Sequence, residues 1–247
     1  PLHWGQKYEP VSILLYEKMY DTKIEEFGCI PHSEYCFIGA SPDGINCDPN
    51  SDRYGRMLEI KNIVNREING IPKHEYWIQM QLQMETCNLK ECDFLETRFR
   101  EYETKGDFDS DGTFSYSKEG KHKGIIMHFW DGSGPVYYYA PLGISESAFE
   151  QWEEEQMNKL GNLTWVRNIY WVLEEMSCVL VLRNKLWFSS ALQVMADVWV
   201  EIKSARSGNY NQYAPSSMKP KTVQKCLVSE NPAVLFVDTS TIQDESE

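Results

Sequence analysis

The sequence predicts an α/β fold, a mixed central sheet flanked by helices with an α+β extension behind it. Three observations predict it. Two apolar, β-prone runs, residues 35–40 and 57–64, stand either side of a turn-rich stretch. A helix-periodic segment over 75–88 follows them, and an alternating strand over 92–102 comes next. Strand–strand–helix–strand order is that of an α/β core built on a mixed sheet.

Residues 5–20 read as a helix whose apolar stripe is Leu14, Leu15, Tyr16 and Met19, with Val11 one turn earlier. Pro10 suits a first helical turn, which puts Glu9 at or near the helix start. Tyr35–Ala40 is apolar and stops at Ser41-Pro42-Asp43-Gly44, a turn in which Pro sets φ and Gly takes a left-handed position. Residues 45–55 carry Asn, Asp, Pro, Ser and Gly and read as loop. Met57–Val64 is the next strand, so the pair forms an antiparallel hairpin with a wide connection.

After the break at Pro72, Glu75–Asn88 forms a helix with Trp77, Met80, Met84 and Cys87 on its inner face. Along Cys92–Tyr102, Phe94, Leu95, Thr97, Phe99 and Tyr102 alternate against Glu96, Arg98 and Arg100. Thr104–Lys123 is polar and Gly-rich and reads as loop. Gly124–Trp130 and Val136–Ala140 are short strands about an Asp-Gly-Ser-Gly turn. Ser145 caps a helix reaching Leu160. Asn168–Val181 is a strand candidate. Asn184–Ala205 is an amphipathic helix expected to turn Trp187, Leu192, Met195, Val198 and Trp199 inward. From Ser207 the chain reads as a loosely ordered tail with a short strand near Ala233–Val237.

The 247 residues are 42% apolar and rich in aromatics, enough for a sizeable core. No run of about 18 apolar residues is present, so no membrane span is expected. The chain opens at Pro1, close to a candidate site residue, and further upstream sequence is expected. Its seven scattered cysteines form no CxxC, which favours free thiols in a reducing, intracellular compartment over disulfides, zinc or an iron–sulfur cluster. A net charge of −13 argues against a protein that simply coats nucleic acid, whose affinity rests on neutralised phosphates. It leaves room for an enzyme whose carboxylates belong to its site.

Asp43, Glu59 and Lys61 carry the chemistry. Alone, Ser-Pro-Asp-Gly is ordinary turn sequence, and Glu-x-Lys is the wet face of a strand. Together they bring two carboxylates and an ammonium to one place. Close carboxylates repel, so one takes a proton or a cation joins them. Mg²⁺ suits them, since it prefers hard oxygen ligands at roughly 2.0–2.1 Å. The Ile60 carbonyl is a third oxygen, and Lys61 can hold a water beside the metal. Glu9 is either another metal-side carboxylate or a helix-start acid favoured by the macrodipole. Tyr76 and Gln79, three apart on one helix face, are either phosphate and water donors or an outward polar face. Gln81 and Gln83 point elsewhere and are weaker candidates. Lys73 and His74 fit solvated loop charges better than phosphate contacts.

These residues resemble the PD-(D/E)XK nuclease superfamily, and within it the phage lambda-type exonuclease or YqaJ-like viral recombinase family. Four segments carry the resemblance in family order: Trp4–Pro10, Gly39–Gly44, Leu58–Lys61 and Tyr76-x-x-Gln79-x-Gln81. The resemblance implies a restriction-endonuclease-like core and a Mg²⁺-dependent exonuclease, Mn²⁺ substituting, that digests duplex DNA from the 5′ end in recombination or replication. It implies Asp43, Glu59, the Ile60 carbonyl and Glu9 at the metal, Lys61 as the catalytic lysine, and Tyr76 with Gln79 orienting phosphate or water. It also implies double-stranded DNA and a single-strand annealing protein as partners, a trimer as the assembly, and a host cytoplasm or virus factory as the location. On this reading residues 1–206 are one nuclease domain, core 1–103 and extension 104–206. An endonuclease on the same core and an inactive DNA-binding scaffold remain the alternatives.

Overall fold

The computed structural model describes residues 2–208 and Tyr213. Helix α1 (Leu2–Tyr20) leads to short strands β1 (Ile24–Glu25), β2 (Ile30–Pro31), β3 (Gly39–Ala40) and β4 (Gly44–Asn46). Then come β5 (Met57–Asn62), α2 (His74–Thr86), β6 (Glu91–Glu101), α3 (Lys105–Ser110), β7 (Lys123–Trp130) and β8 (Pro135–Tyr139). Helix α4 (Glu146–Lys159), the long strand β9 (Thr164–Leu182) and α5 (Lys185–Ser207) complete it. Seven strands form one sheet in the order β1-β4-β5-β6-β9-β7-β8, and β2 pairs with β3 apart from it. The sheet is mixed, as expected: β5 and β6 run parallel, joined across α2, and the other neighbours are antiparallel.

The two faces of β5 and β6 are covered by different helices. Met57, Phe94 and Cys92 pack with Met80 and Met84 of α2. Leu58, Ile60 and Leu95 pack with Tyr16 of α1. Strand β6 is therefore central and buried on both sides, so Asp93, Glu96 and Thr97 are buried, not the wet half of an alternating strand. Each has partners. Asp93 accepts from the Tyr16 hydroxyl at 2.6 Å, pairs with Arg53, and meets Arg56 at 3.3 Å. Glu96 pairs with Arg66. A buried ion that loses its partner leaves the others uncompensated, at about 3–5 kcal/mol. Asp93→Ala is expected to lose stability of that order in urea unfolding, and a loss no larger than that of a surface substitution would refute the cluster's role.

Several expectations are corrected. Helix α1 begins at Leu2, so Pro10 lies inside it and denies an N–H to the Gln6 carbonyl. Glu9 is consequently mid-helix, with no macrodipole support. Of residues 35–40 only Gly39–Ala40 are strand, paired to Ile30–Pro31, and β5's hairpin partner is β4, inside the expected loop. Gly44 has an ordinary φ; its reason is space, since a Cβ there would meet the Ile24 Cγ2 at 2.2 Å. Within 104–123, α3 forms on a capping box between Thr104 and Asp107. The buried Lys123 ammonium then ties that segment down, donating to the carbonyls of Phe108, Asp111 and Thr113. On α5 only Phe188 is buried: Trp187, Leu192, Met195 and Trp199 are half-buried and Val198 is exposed. Amphipathic spacing fixes which side chains share a face, not whether anything covers it.

Two compact units divide at Asp197/Val198. The first holds the sheet and all candidate site residues. Of the second, the last turns of α5 and Tyr213 are described, and the expected strand near 233–237 lies outside the described residues. The six described cysteines are free thiols, Cys226 lying outside. No helix among the described residues is long and apolar enough to cross a membrane.

Candidate active site

The antiparallel pairing of Gly44 with Leu58 puts Asp43, the residue before β4, beside Glu59 of β5. The Asp43 carboxylate accepts from the Ile60 backbone N–H at 2.6 Å. That bond joins residues 17 apart in sequence, so the acid's place depends on the β4–β5 hairpin. On the α2 side of β5, Glu59 and Lys61 lie two apart and pair with one another. Glu59 is wholly buried, and its second oxygen accepts from the Gln83 amide nitrogen at 2.9 Å. The Lys61 ammonium also stands over the Tyr76 ring at 5.0 Å, with the Arg66 guanidinium 5.6 Å from that ring.

A cavity of about 390 Å³ opens in front of these groups, lined by Gln6, Glu9, Asp43, Ile60, Lys61, Asn62 and Tyr76 among others. Asn62 fastens its rim. Its amide donates to the Gly5 carbonyl at 3.1 Å and its oxygen accepts from Ser12 and Thr97, which seats α1, and with it Glu9, against β5. Another cavity, bounded by His32, Glu34, Tyr35, Glu85 and Phe188, has its Glu85 paired with Arg183 at 2.6 Å.

The acids are short of positive charge. Burial and the neighbouring Glu59 push Asp43 up to about 7, against the Ile60 N–H and Lys61, which pull it down. Burial, then Glu26 and Glu59, raise Glu9. Burial works to lower Lys61, but Glu59 and Asp43 outweigh it and hold the ammonium above its ordinary value. Among the described residues no three acid, histidine or cysteine side chains already form a metal-binding group, and Lys61 occupies one oxygen of Glu59. The donors nonetheless fit a hard divalent cation. They are carboxylate and carbonyl oxygens, and an acid pushed up by burial and then by a neighbouring carboxylate is a place where added positive charge is stabilising.

The structure thus brings Glu9, Asp43, Ile60, Lys61 and Tyr76 to one cavity, with Glu59 directly behind Lys61. Gln79 is half-buried on α2 and is not among the lining residues. Gln83, expected to point elsewhere, reaches Glu59, and Gln81 bonds the Leu182 carbonyl and the Asn184 N–H instead. Arg66, Asn62 and Gln6 were not singled out from the sequence. Arg66 follows Lys61 by five residues in a polar stretch that gives no signal of its own.

Comparison with known proteins adds the following. Residues 1–90 match the model of the YqaJ-like viral recombinase domain. The chain is 30% identical over 233 aligned positions to "Uncharacterized protein R354" of Acanthamoeba polyphaga mimivirus, covering 80% of this chain and 42% of that protein. Crystal structures of an alkaline exonuclease (LHK-Exo) from Laribacter hongkongensis, and of LHK-Exo in complex with dAMP, align with TM-scores of 0.32 and 0.31. Both are 22% identical and cover 63% of this chain and 64% of that one. The chain therefore spans less than half of the mimivirus relative and just under two thirds of LHK-Exo.

Proposed function

We propose, for a chain whose residues 1–90 belong to the YqaJ-like viral recombinase domain family, that the cavity hydrolyses DNA phosphodiester bonds from duplex ends. The observation that carries this reading is that Asp43 and Lys61, on neighbouring β segments, line one cavity with Glu59 paired to Lys61 directly behind it. Asp43, Glu59 and the Ile60 carbonyl would hold Mg²⁺, with Glu9 beside them. Such an ion lowers the pKa of a bound water and screens the phosphate's charge. Lys61, kept as an ammonium, donates to the attacking oxygen and stabilises negative charge developing at phosphorus. The Tyr76 hydroxyl orients a phosphate oxygen, and Gln79 takes that task only if α2 turns its side chain toward the cavity. The water oxygen bonds to phosphorus as the P–O3′ bond breaks, its proton passing to solvent, and the leaving 3′ oxygen takes a proton from solvent. Digestion proceeds 5′ to 3′ within viral or phage-type recombination, beside a single-strand annealing partner and in a homo-oligomer.

The test is digestion of end-labelled linear duplex, 5′-phosphorylated or 5′-hydroxyl, with Mg²⁺ or with EDTA. Mononucleotides released from the 5′ end only with Mg²⁺ are expected, with covalently closed circles left intact. Cuts in closed circles would replace this reading with an endonuclease. DNA binding without hydrolysis would replace it with a scaffold.

A further inference from the structure

Gln83 is the buried side chain that the proposed reaction leaves without a task. It lies on α2, 3% exposed, among the groups packed against β5. Its amide nitrogen donates in two directions, to the Glu59 carboxylate at 2.9 Å and to the Ser41 carbonyl at 3.2 Å. Ser41 is joined to Asp43 through Pro42, whose ring fixes φ, so a hold on the Ser41 carbonyl is a hold on the turn that carries Asp43. One nitrogen atom thus ties together the two segments bearing the two acids.

The same amide is only half satisfied. Its oxygen, Oε1, is buried without a hydrogen-bond partner among the described residues. A buried acceptor left unpaired is unfavourable, while the nitrogen end serves the buried Glu59 carboxylate, so the side chain is there for the acid it holds. Charge is consistent with that. Three carboxyl groups, Glu9, Asp43 and Glu59, stand around the ammonium of Lys61, an excess of acids that a divalent cation suits. A lysine or arginine at 83 would cancel part of that excess. An amide holds Glu59 and leaves it in place.

We propose that Gln83 is a positioning residue that sets the separation of the Asp43 and Glu59 carboxylates, and that this spacing selects a small divalent cation over a larger one. The inference rests on the reading of those two acids as metal ligands. Mg²⁺ demands near-octahedral oxygen ligands at roughly 2.0–2.1 Å, whereas Ca²⁺ accepts flexible geometry at roughly 2.3–2.6 Å. Loosening the spacing therefore penalises Mg²⁺ more than Ca²⁺.

Calorimetric titration of the purified chain with each ion, in the absence of DNA, tests it. In Gln83→Met, and in Gln83→Asn, whose shorter amide cannot span both acceptors, the Mg²⁺ dissociation constant is expected to rise about 10- to 100-fold, as for loss of other groups that orient metal ligands. The Ca²⁺ constant is expected to rise by a clearly smaller factor. Unchanged Mg²⁺ binding overturns the proposal. So does an equal loss for both ions, or loss of the native circular-dichroism spectrum in both variants, which would make Gln83 a residue of the fold. A wild-type chain that binds neither ion removes the metal reading itself and is thereby told apart from failure of the clamp.

Discussion

Lys61→Met is expected to lower the rate of phosphodiester hydrolysis by roughly 10²–10⁴-fold, the range for losing a group that acts on the reacting proton or charge, while divalent-ion binding survives. The split follows from where the ammonium sits. Lys61 pairs with Glu59, over the Tyr76 ring, and Glu59 and Asp43 hold it in its charged form against burial. Its proton is thus a donor toward negative oxygen, and the variant keeps every carboxylate while losing that donor. Methionine fills the same length of chain, and Gln83 still donates to Glu59. Removing the ammonium also frees the Glu59 oxygen it occupies, so Mg²⁺ affinity should hold steady or rise. Single-turnover hydrolysis and calorimetric titration on the same preparation check both halves. Hydrolysis at the wild-type rate would remove Lys61 from the reaction. Loss of ion binding together with hydrolysis would show that the substitution collapses the site.

What could be read from the sequence follows from which interactions are local. Met57–Asn62 and His74–Thr86 were legible because each carries its own period, two for the strand and near 3.6 for the helix. Two-residue strands such as Gly39–Ala40 carry no period and exist only through their partner, Ile30–Pro31. Helix α1 hid its start because Pro10 is a strong first-turn signal, and tertiary packing of Tyr8, Val11 and Leu15 against Phe99 and Trp171 outweighs the hydrogen bond it costs. The Thr104–Asp107 capping box was a readable signal lost in a polar, Gly-rich stretch, and the Lys123 tether that orders it is non-local.

The candidate site divides in the same way. Asp43, Glu59 and Lys61 stand on a turn and one strand face, so their residue types and order announce them. Gln83 stands four residues after Gln79 and seven after Tyr76, on one helix face, so spacing alone groups it with them and apart from Gln81. Which end of that face meets the acids is set by the packing of Met80 and Met84 against Phe94 and Cys92, and it is Gln83 that reaches Glu59. Arg66 is likewise visible only once Glu96, buried in the central strand, is seen to require a cation.

Asp43 supplies the second large effect, and its sign is opposite for stability and for activity. In the folded chain its carboxyl titrates near 7, whereas an unfolded aspartate titrates at about 3.9. Between those values the folded state retains a proton that the unfolded state has released. Folding is therefore favoured at the acid end, and the advantage is lost as pH rises through about 7. At pH 8, without metal, the half-buried carboxylate is ionised beside Glu59, at a cost on the order of 2 kcal/mol once solvent screening is allowed for. Asparagine keeps an oxygen for the Ile60 N–H and carries no charge. In EDTA at pH 8, Asp43→Asn should accordingly melt about 4–8 °C above wild type. At pH 4 the two should coincide, which separates this group from Glu9 and the histidines that titrate in both chains. Mg²⁺ should close the gap by stabilising wild type more, because the variant lacks one of the carboxylates that would hold the ion. The same substitution should abolish most hydrolysis. A variant that melts below wild type at pH 8, or a gap that persists unchanged at pH 4, would mean that repulsion between Asp43 and Glu59 is not what the folded site is built around.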